Sequence, residues 1–348
     1  MIKDLKIFNY KSINKIHLEC SRINVFIGEP NSGKSNILEA LDLSSLSLLM
    51  NSNIENKALK IEEVDIKNLF RVEKVEKMFH LNDLSTPIFA TNDGHLIASI
   101  NLKTEGNKNF FEWSNNGSNT VAFDSDFNYI LDESTGIGYS SPIQPFRFKD
   151  NIHFHDVGNY LNKLMPVYGN NIAKVIFHNP SFLKTIKDLT EDYGFEFKID
   201  ISKNEIEIQL RINEGVVYPI QYIAIADTFK RFLFHLAAIR YSQATTITLD
   251  EPDAHSFPKY VSFLADEMIK ATSKQFFIAT HNPYLLNNLI ENSPIGELSV
   301  FVCGYDKINS ETITKKLTKE DLSELIDYGV DIFFNINKYL DDRVEHSS

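Results

Sequence analysis

The segment Gly28-Glu29-Pro30-Asn31-Ser32-Gly33-Lys34-Ser35 constrains this chain more than any other stretch. It fills the pattern G-x-x-x-x-G-K-[ST] between an apolar run, Ile23 to Ile27, and a helix-like run, Ser35 to Leu48. A buried strand that turns through such a loop into a helix is a unit of α/β architecture, so a mainly parallel central sheet is expected. The loop also carries a chemistry. Backbone N–H groups of the turn and of the helix start, Gly28 to Asn36, can surround a β-phosphate. Lys34 can reach the β/γ oxygens, and the Ser35 hydroxyl can ligate Mg²⁺. A turn that matches by chance is the plain alternative.

Far downstream, Thr245-Thr246-Ile247-Thr248-Leu249 is β-branched and largely apolar, as in a central strand buried on both faces. It stops at Asp250-Glu251-Pro252. Ligands of an open α/β sheet collect at the C-terminal edge of its strands. There Asp250 is a candidate to hold Mg²⁺ through its water shell, and Glu251 a candidate to polarise an attacking water. Without the phosphate loop the same pair reads as a solvated start to the next helix.

Gln275-Phe276-Phe277-Ile278-Ala279 reads as another buried strand and ends at Thr280-His281-Asn282-Pro283, with Pro283 suited to the first turn of a helix. His281 is thereby expected at the same sheet edge. A neutral imidazole there can donate to a γ-phosphate oxygen or hold the attacking water. A lone histidine otherwise serves as a cap or a surface residue.

These three elements in this order resemble an ABC-type ATPase head of the branch that includes SMC and RecF proteins, rather than a GTPase or a kinase. Three stretches are more narrowly similar to small AAA-family ATPases related to the OLD (overcoming lysogenization defect) family. They are Leu5-Lys6-Ile7-Phe8-Asn9-Tyr10-Lys11-Ser12-Ile13, the loop with Ile37-Leu38-Glu39-Ala40-Leu41, and Leu249-Asp250-Glu251-Pro252-Asp253-Ala254-His255. The match covers about residues 1–50 and 216–335. It implies ATP and Mg²⁺ as cofactors, hydrolysis to ADP and phosphate with Lys34, Glu251 and His281 in catalysis, and two heads closing on two nucleotides as a homodimer or higher oligomer. It also implies bacterial defence against phage or mobile DNA, with a separate nuclease or toxin as effector.

In that superfamily each head offers a signature segment at a helix N-terminus to the nucleotide held by the other. The corresponding stretch here is Ile225-Ala226-Asp227-Thr228-Phe229-Lys230-Arg231, ahead of a helix expected over Phe229 to Tyr241. It departs from the usual Ser-x-Gly-Glu/Gln. Ala226 has no hydroxyl, and Asp227 replaces a glycine and places a carboxylate near phosphate unless it caps its own helix. The contact in trans then rests on helix amides and on Thr228, Lys230 or Arg231. Weak or slow turnover is expected, and an ordinary core helix is the alternative. Asp253, Ala254 and His255 stand by position where related heads make a dimer-crossing loop.

Composition narrows the partners. The net charge is −12, whereas a free-standing nucleic-acid binder usually carries a basic excess. Lys57, Lys60, Lys67, Arg71, Lys74 and Lys77 do gather after the first helix, interleaved with acids as on a solvated helix face. DNA binding is therefore not indicated, although a dimer surface or a partner leaves it open. The two cysteines, Cys20 and Cys303, lie far apart and suit a reducing cytoplasm. No signal peptide or membrane-spanning apolar stretch is evident.

The expected domain plan is a discontinuous head, 1–50 and 216–348, around a mixed β/helical insertion, 51–215. Within the insertion, Asn51-Ser52-Asn53 reads as a linker, and hairpins are expected around Asp93-Gly94 and Asn115-Asn116-Gly117. A loop is placed at 134–138, then a mainly helical run from Val157 to about Tyr193 and strands at Phe195 to Ile201 and Glu205 to Ile212. Sustained heptads of a coiled-coil arm are missing. His153-Phe154-His155-Asp156 has zinc-ligand types but no further ligands at suitable spacing, so a polar strand or helix start is the simpler reading. No glutamine stands out for the loop that usually links the Mg²⁺ site to the insertion. The chain's end at Ser348 leaves no room for an appended nuclease domain. Two function classes emerge: an ATPase switch that controls an effector, and a nucleotide-gated scaffold with negligible turnover. An SMC/RecF-like DNA-repair ATPase and a transporter ATPase are the further readings.

Overall fold

The chain opens with a hairpin, β1 (Asp4–Tyr10) and β2 (Ile13–Glu19). Its alternation buries Leu5, Ile7, Ile16 and Leu18 while Lys15 and His17 face solvent. In this computed structural model the described residues are 1–46, 66–106, 108–115, 119–131, 141–150, 152, 162–191, 194–200, 205–214, 216–327 and 332–340. Strand β3 (Ile23–Gly28) is buried throughout and turns into α1 (Lys34–Asp42). A single helical turn, α2 (Ile66–Leu69), precedes β4 (Ile88–Asn92), β5 (His95–Glu105), β6 (Lys108–Asn115), β7 (Asn119–Phe123), β8 (Tyr129–Leu131) and β9 (Ile143–Phe146).

Strands β4 to β8 extend the N-terminal hairpin into one antiparallel sheet of order β2-β1-β4-β5-β6-β7-β8. The Asp93-Gly94 hairpin forms as expected, with Asn92 opposite His95 and both turn residues at positive φ. The second hairpin pairs β6 with β7; its turn at 116–118, the linker 51–53 and the loop 134–138 lie outside the described residues. Trp113 is fully buried and donates its indole N–H to Leu43 O at 2.8 Å. From Ile66 onward the mixed-charge stretch after α1 is not the solvated helix face expected from its charges; its residues 51–65 lie outside the described residues. Phe70, Val75 and Met78 are buried, and residues 66–82 run as one helical turn and short 3₁₀ segments.

The contacts divide the chain into two compact units, Met1–Pro145 with Ala244–Glu251 and Thr272–Ser348, and Phe146–Gln243 with Pro252–Ala271. The second unit contains α3 (Ile172–His178), α4 (Pro180–Glu191), the antiparallel sheet β10 (Phe195–Asp200), β11 (Glu205–Asn213) and β12 (Val216–Gln221), and α5 (Asp227–Tyr241). The chain next enters β13 (Thr246–Asp250) in the first unit and returns for α6 (Pro258–Lys270). Phe232 of α5 stacks on Tyr260 of α6 at 4.6 Å, and Arg240 donates to Glu267 at 2.6 Å. Of the mainly helical run expected from Val157 to about Tyr193, α3 and α4 form from Ile172 on, and residues 157–161, 192 and 193 lie outside the described residues. Residues 162–171 are not helical, and Asn179 leaves helical dihedrals ahead of Pro180, whose ring disfavours them. β12 was not expected. It carries Pro219, tolerated because β12 is an edge strand.

The first unit's central sheet has the order β16-β15-β3-β14-β13-β9, completed by β14 (Gln275–Ala279), β15 (Leu298–Asp306) and β16 (Glu311–Lys316). Helix α7 (Pro283–Asn292) comes after β14, and α8 (Lys319–Asp327) and α9 (Ile336–Leu340) come after the sheet. Strands β15, β3, β14 and β13 are parallel, with β16 antiparallel at the edge. Phe26 stacks with Phe301 at 5.2 Å and with Phe277 at 6.3 Å across this sheet. Such pairs add about 0.5–1.5 kcal/mol each beyond burial. Helix α1 packs its buried Ile37, Leu38 and Leu41 on this side of the core, against β13 and β14. The parallel register brings the C-terminal ends of β3, β14 and β13 to one edge. No helix among the described residues is long and apolar enough to cross a membrane.

Candidate functional site

At the end of β3 the backbone comes so close to β15 that a Cβ on Gly28 would lie 2.3 Å from Cys303 O. Asn31 and Gly33 then take positive φ, 63° and 91°, and α1 starts directly from Gly33. The turn is held by Ser32 N donating to Glu29 O at 3.3 Å. Lys34 folds its ammonium over the loop and donates to Gly28 O at 3.0 Å, Glu29 O at 2.8 Å and Ser32 Oγ at 3.3 Å. Burial lowers its pKa, against the pull of Asp250 and Glu251. A charged group held on backbone carbonyls inside a ring of loop amides suits an anion that would take those carbonyls' place.

The end of β13 meets this loop. Ser35 donates to Asp250 Oδ1 at 3.0 Å, so the two oxygens proposed for Mg²⁺ are adjacent before any cation is considered. Among the described residues no group of three or more His, Cys, Asp and Glu side chains could hold a metal ion by itself. The donor set suits a hard cation that keeps waters and phosphate oxygens in its shell. Glu251 has φ 51° and donates its backbone N–H to Ala279 O at 2.9 Å, tying β13 to β14 at the edge. Its side chain is about half exposed, with Oε1 3.8 Å from Nε2 of His281. The helix start next to His281 fixes its backbone. Asn282 accepts from Tyr284 N at 2.8 Å and caps α7, with Pro283 in the first turn. Burial, and then the neighbouring Lys34 charge, lower the His281 pKa, so the ring is neutral at pH 7.

Pro30 to Asn36, Glu251 and His281 line one cleft of about 700 Å³. Asp250 stands behind Ser35, and Gly28 and Glu29 form the floor of the loop rather than the cleft wall. The residues proposed from sequence for the phosphates, Mg²⁺ and the attacking water therefore lie together at one edge of the first unit's sheet.

A family model described as "AAA domain, putative AbiEii toxin, Type IV TA system" matches residues 23–287, well over half of the chain. The chain belongs to this AAA-domain family. Its parallel central strands and phosphate-type loop are those of an α/β nucleotide-binding domain, as that family's description implies. It is similar to the DNA replication and repair protein RecF of Alkaliphilus oremlandii (strain OhILAs), 27% identical over 82 residues, 23% of this chain and 22% of that one. The chain thus matches only about a fifth of the length of that relative. Among solved structures it is similar to the SMC head domain from Thermotoga maritima, with TM-score 0.42 and 11% identity over 91% of this chain and 99% of that one. It is also similar to the Smc head domain with an extended coiled coil bound to the C-terminal domain of ScpA derived from Pyrococcus furiosus, with TM-score 0.47 and 12% identity over 94% and 98%.

The AAA domain's cleft holds two cations that the sequence reading gave no role. Lys11 and Arg71 both line it, and both are anchored on Glu39 of α1, whose carboxylate is buried. Arg71 donates through Nε at 2.7 Å and lies 3.5 Å from Asp250 Oδ2. Burial opposes the Arg71 charge, but Glu39 and Asp250 outweigh it and raise its pKa. Lys11 donates to Glu39 Oε2 at 2.5 Å and to Phe70 O. The only sequence signal was Lys11 and Glu39 within the family-like stretches. Gln144 on β9, beside β13, is fully buried with neither amide atom bonded among the described residues. It too went unnoticed.

In the second unit the signature segment is differently used than expected. Helix α5 starts at Asp227, two residues before the expected start, with Ala226 as its cap and no side-chain capping bond. Asp227 does not cap its helix; it accepts from Arg231 Nε at 2.7 Å, the i,i+4 geometry of a helix surface pair. Thr228 donates to His255 O at 2.7 Å, and the buried Lys230 pairs with Asp150. The three side chains proposed for a contact in trans are thus engaged within their own unit. Asp253 is buried, and His255 has φ 57°. His153-Phe154-His155-Asp156 lies outside the described residues.

Proposed function

We propose that the chain binds MgATP in the cleft beside Lys34 and hydrolyses it slowly, as a switch that pairs two heads and sets the state of a partner effector. The observation that carries this reading is the meeting of three distant stretches: Ser35 Oγ lies 3.0 Å from Asp250 Oδ1, and Glu251 Oε1 lies 3.8 Å from His281 Nε2. In this reading the amides of Gly28 to Asn36 and the Lys34 ammonium hold the β- and γ-phosphates, and Ser35 with Asp250 would hold Mg²⁺, which supplies charge neutralisation at the phosphate oxygens. Glu251 orients a water, and its carboxylate takes the proton as the water oxygen bonds to the γ-phosphorus and ADP departs. Neutral His281 donates to the γ-phosphate and so distinguishes tri- from diphosphate. Residues 1–50 and 216–348 act as the head and 51–215 as the part that transmits its state. Arg71, which precedes the hairpins and reaches Asp250, supports such a route.

The test is ATP affinity for wild type and Lys34→Ala, with phosphate release for wild type and Glu251→Gln. Lys34→Ala should lose affinity and Glu251→Gln should lose turnover. Undiminished binding by Lys34→Ala would sink the reading.

A nucleotide-gated scaffold with negligible turnover is the second reading. It is favoured by Ala226 and by the engagement of Asp227, Thr228 and Lys230 within their own unit. Equal phosphate release by wild type and Glu251→Gln would select it. The family's description, which names a toxin, supports a defence role with a toxin or nuclease as effector, as the OLD-like stretches imply. The RecF similarity supports a DNA-repair role instead, against the net charge of −12. A pull-down with ATP-loaded Glu251→Gln separates them by whether a protein or DNA is retained.

A further inference from the structure

Thr312 lies on β16, outside every motif above, and only 2% of it is exposed. Its side chain presses on the phosphate loop from behind: a Cβ on Gly33 would lie 2.0 Å from Thr312 Oγ1 and 2.8 Å from Cγ2. The same hydroxyl lies 2.6 Å from Ser12 Oγ in the turn between β1 and β2. Ser12 Oγ accepts from Asn36 Nδ2 at 2.7 Å, which leaves the serine hydrogen free to donate to Thr312. The Thr312 backbone N–H donates to Ser12 O at 2.7 Å, fixing the turn a second time. Ser12 and Asn36 face the cleft, and so does Lys11 beside Ser12; Thr312 does not.

We infer that Thr312 is a positioning residue for the nucleotide site, clamping the Lys11-Ser12 turn against Gly33 and the first turn of α1 so that the loop amides and Lys11 keep one spacing. This rests on the reading of the cleft as an ATP site. Gly33 sits at φ 91°, a conformation glycine shares with many others, so the wall it rests on decides which one it keeps. The Asn36–Ser12–Thr312 chain orders that wall by directional bonds, whose net value is about 1 kcal/mol each.

The decisive measurement is the ATP dissociation constant by calorimetry for wild type, Thr312→Val, Thr312→Ser, Ser12→Ala, the double variant Ser12→Ala/Thr312→Val, and Lys34→Ala, with melting curves for each. Thr312→Val keeps the volume and removes the hydroxyl, and should weaken ATP binding about three- to tenfold, the worth of one such bond. Thr312→Ser should bind within about twofold of wild type, and the double variant should be no weaker than Ser12→Ala alone, because removing the Ser12 hydroxyl already breaks its bond to Thr312 along with the one from Asn36. If Thr312→Val does not fold, Ser12→Ala carries the same expectation. Wild-type affinity in Thr312→Val or Ser12→Ala beside a loss in Lys34→Ala overturns the clamp alone. Thr312→Ser as weak as Thr312→Val overturns the hydroxyl's part in it. Unchanged binding by Lys34→Ala overturns the nucleotide site itself, and the clamp with it.

Discussion

Arg71 and Glu39 are in charged contact at the cleft, with Nη2 2.5 Å from Oε1, and Glu39 also takes Lys11 at 2.5 Å and the Tyr10 hydroxyl at 3.0 Å. One buried carboxylate thus bridges two cations. Glu39→Gln keeps its shape but leaves Lys11 without its counter-charge and Arg71 with only Asp250, 3.5 Å away, and should cost about 1–3 kcal/mol in urea unfolding. That is less than a fully buried pair would lose, because the Arg71 side chain is 53% exposed and partly screened. Arg71→Ala should cost less than about 1 kcal/mol; a loss equal to that of Glu39→Gln would contradict this division.

His281 and Glu251 are predicted to act after binding. His281→Ala should lower phosphate release about 100-fold while ATP affinity stays within about threefold. Burial and Lys34 hold its pKa below the usual 6.5, so wild-type turnover should be level above pH 6.5 and fall only as the ring is protonated below it. A fall beginning above pH 7 would show that another group controls the profile.

With ATP bound, Glu251→Gln should elute at twice its monomer mass, and wild type should return to monomer as ADP forms. Light scattering on the eluting protein reads this directly. A single mass in every nucleotide state would remove pairing of heads from the mechanism.

His235 on α5 is fully buried, and burial, offset only in part by a bond to the Arg231 backbone, pushes its pKa down to about 3. The unfolded chain takes up a proton near pH 6.5 that the native ring refuses. This protonation penalty is therefore absent above pH 6.5, and stability drops as pH falls below it. Between pH 6.5 and 5 the loss from this group is about 2 kcal/mol. His235→Leu should flatten that limb in denaturant titrations at the two pH values. Equal slopes for both proteins would place the native pKa near its ordinary value.

Gly28→Ala puts a methyl group 2.3 Å from the Cys303 carbonyl oxygen, a backbone atom that cannot swing aside. Overpacking of this kind costs about 1–3 kcal/mol. The variant should melt several degrees lower and bind ATP poorly, and full affinity in it would mean that the loop does not need its contact with β15.

Much of this head was legible because its elements are local. The run Ile23 to Ile27 and the loop after it name their own strand and turn, Asp93-Gly94 dictates its hairpin, and Pro283 marks the start of α7. Arg71, Thr312 and Gln144 were not legible, because each acquires its setting from partners distant in sequence. Arg71 sits among alternating charges that mimic a solvated helix, and only the fold turns it toward Glu39. Thr312 is one threonine in an edge strand until Gly33 is seen against it. The segment Ala226 to Arg231 shows the converse: its departures were readable, but not that Asp227 would choose Arg231 over its own helix end.

The side chain of Asn24 on β3 reaches the carbonyl of Phe276 on β14, 252 positions later, and β15 closes the other flank of β3 later still. A ribosome adds roughly 5–20 residues each second, so this largely apolar strand waits some tens of seconds without either neighbour. Hydrophobic chain left open for that long adheres to other chains. Yield in cells should accordingly depend on chaperones that shield nascent N-termini, and slower translation should lower it.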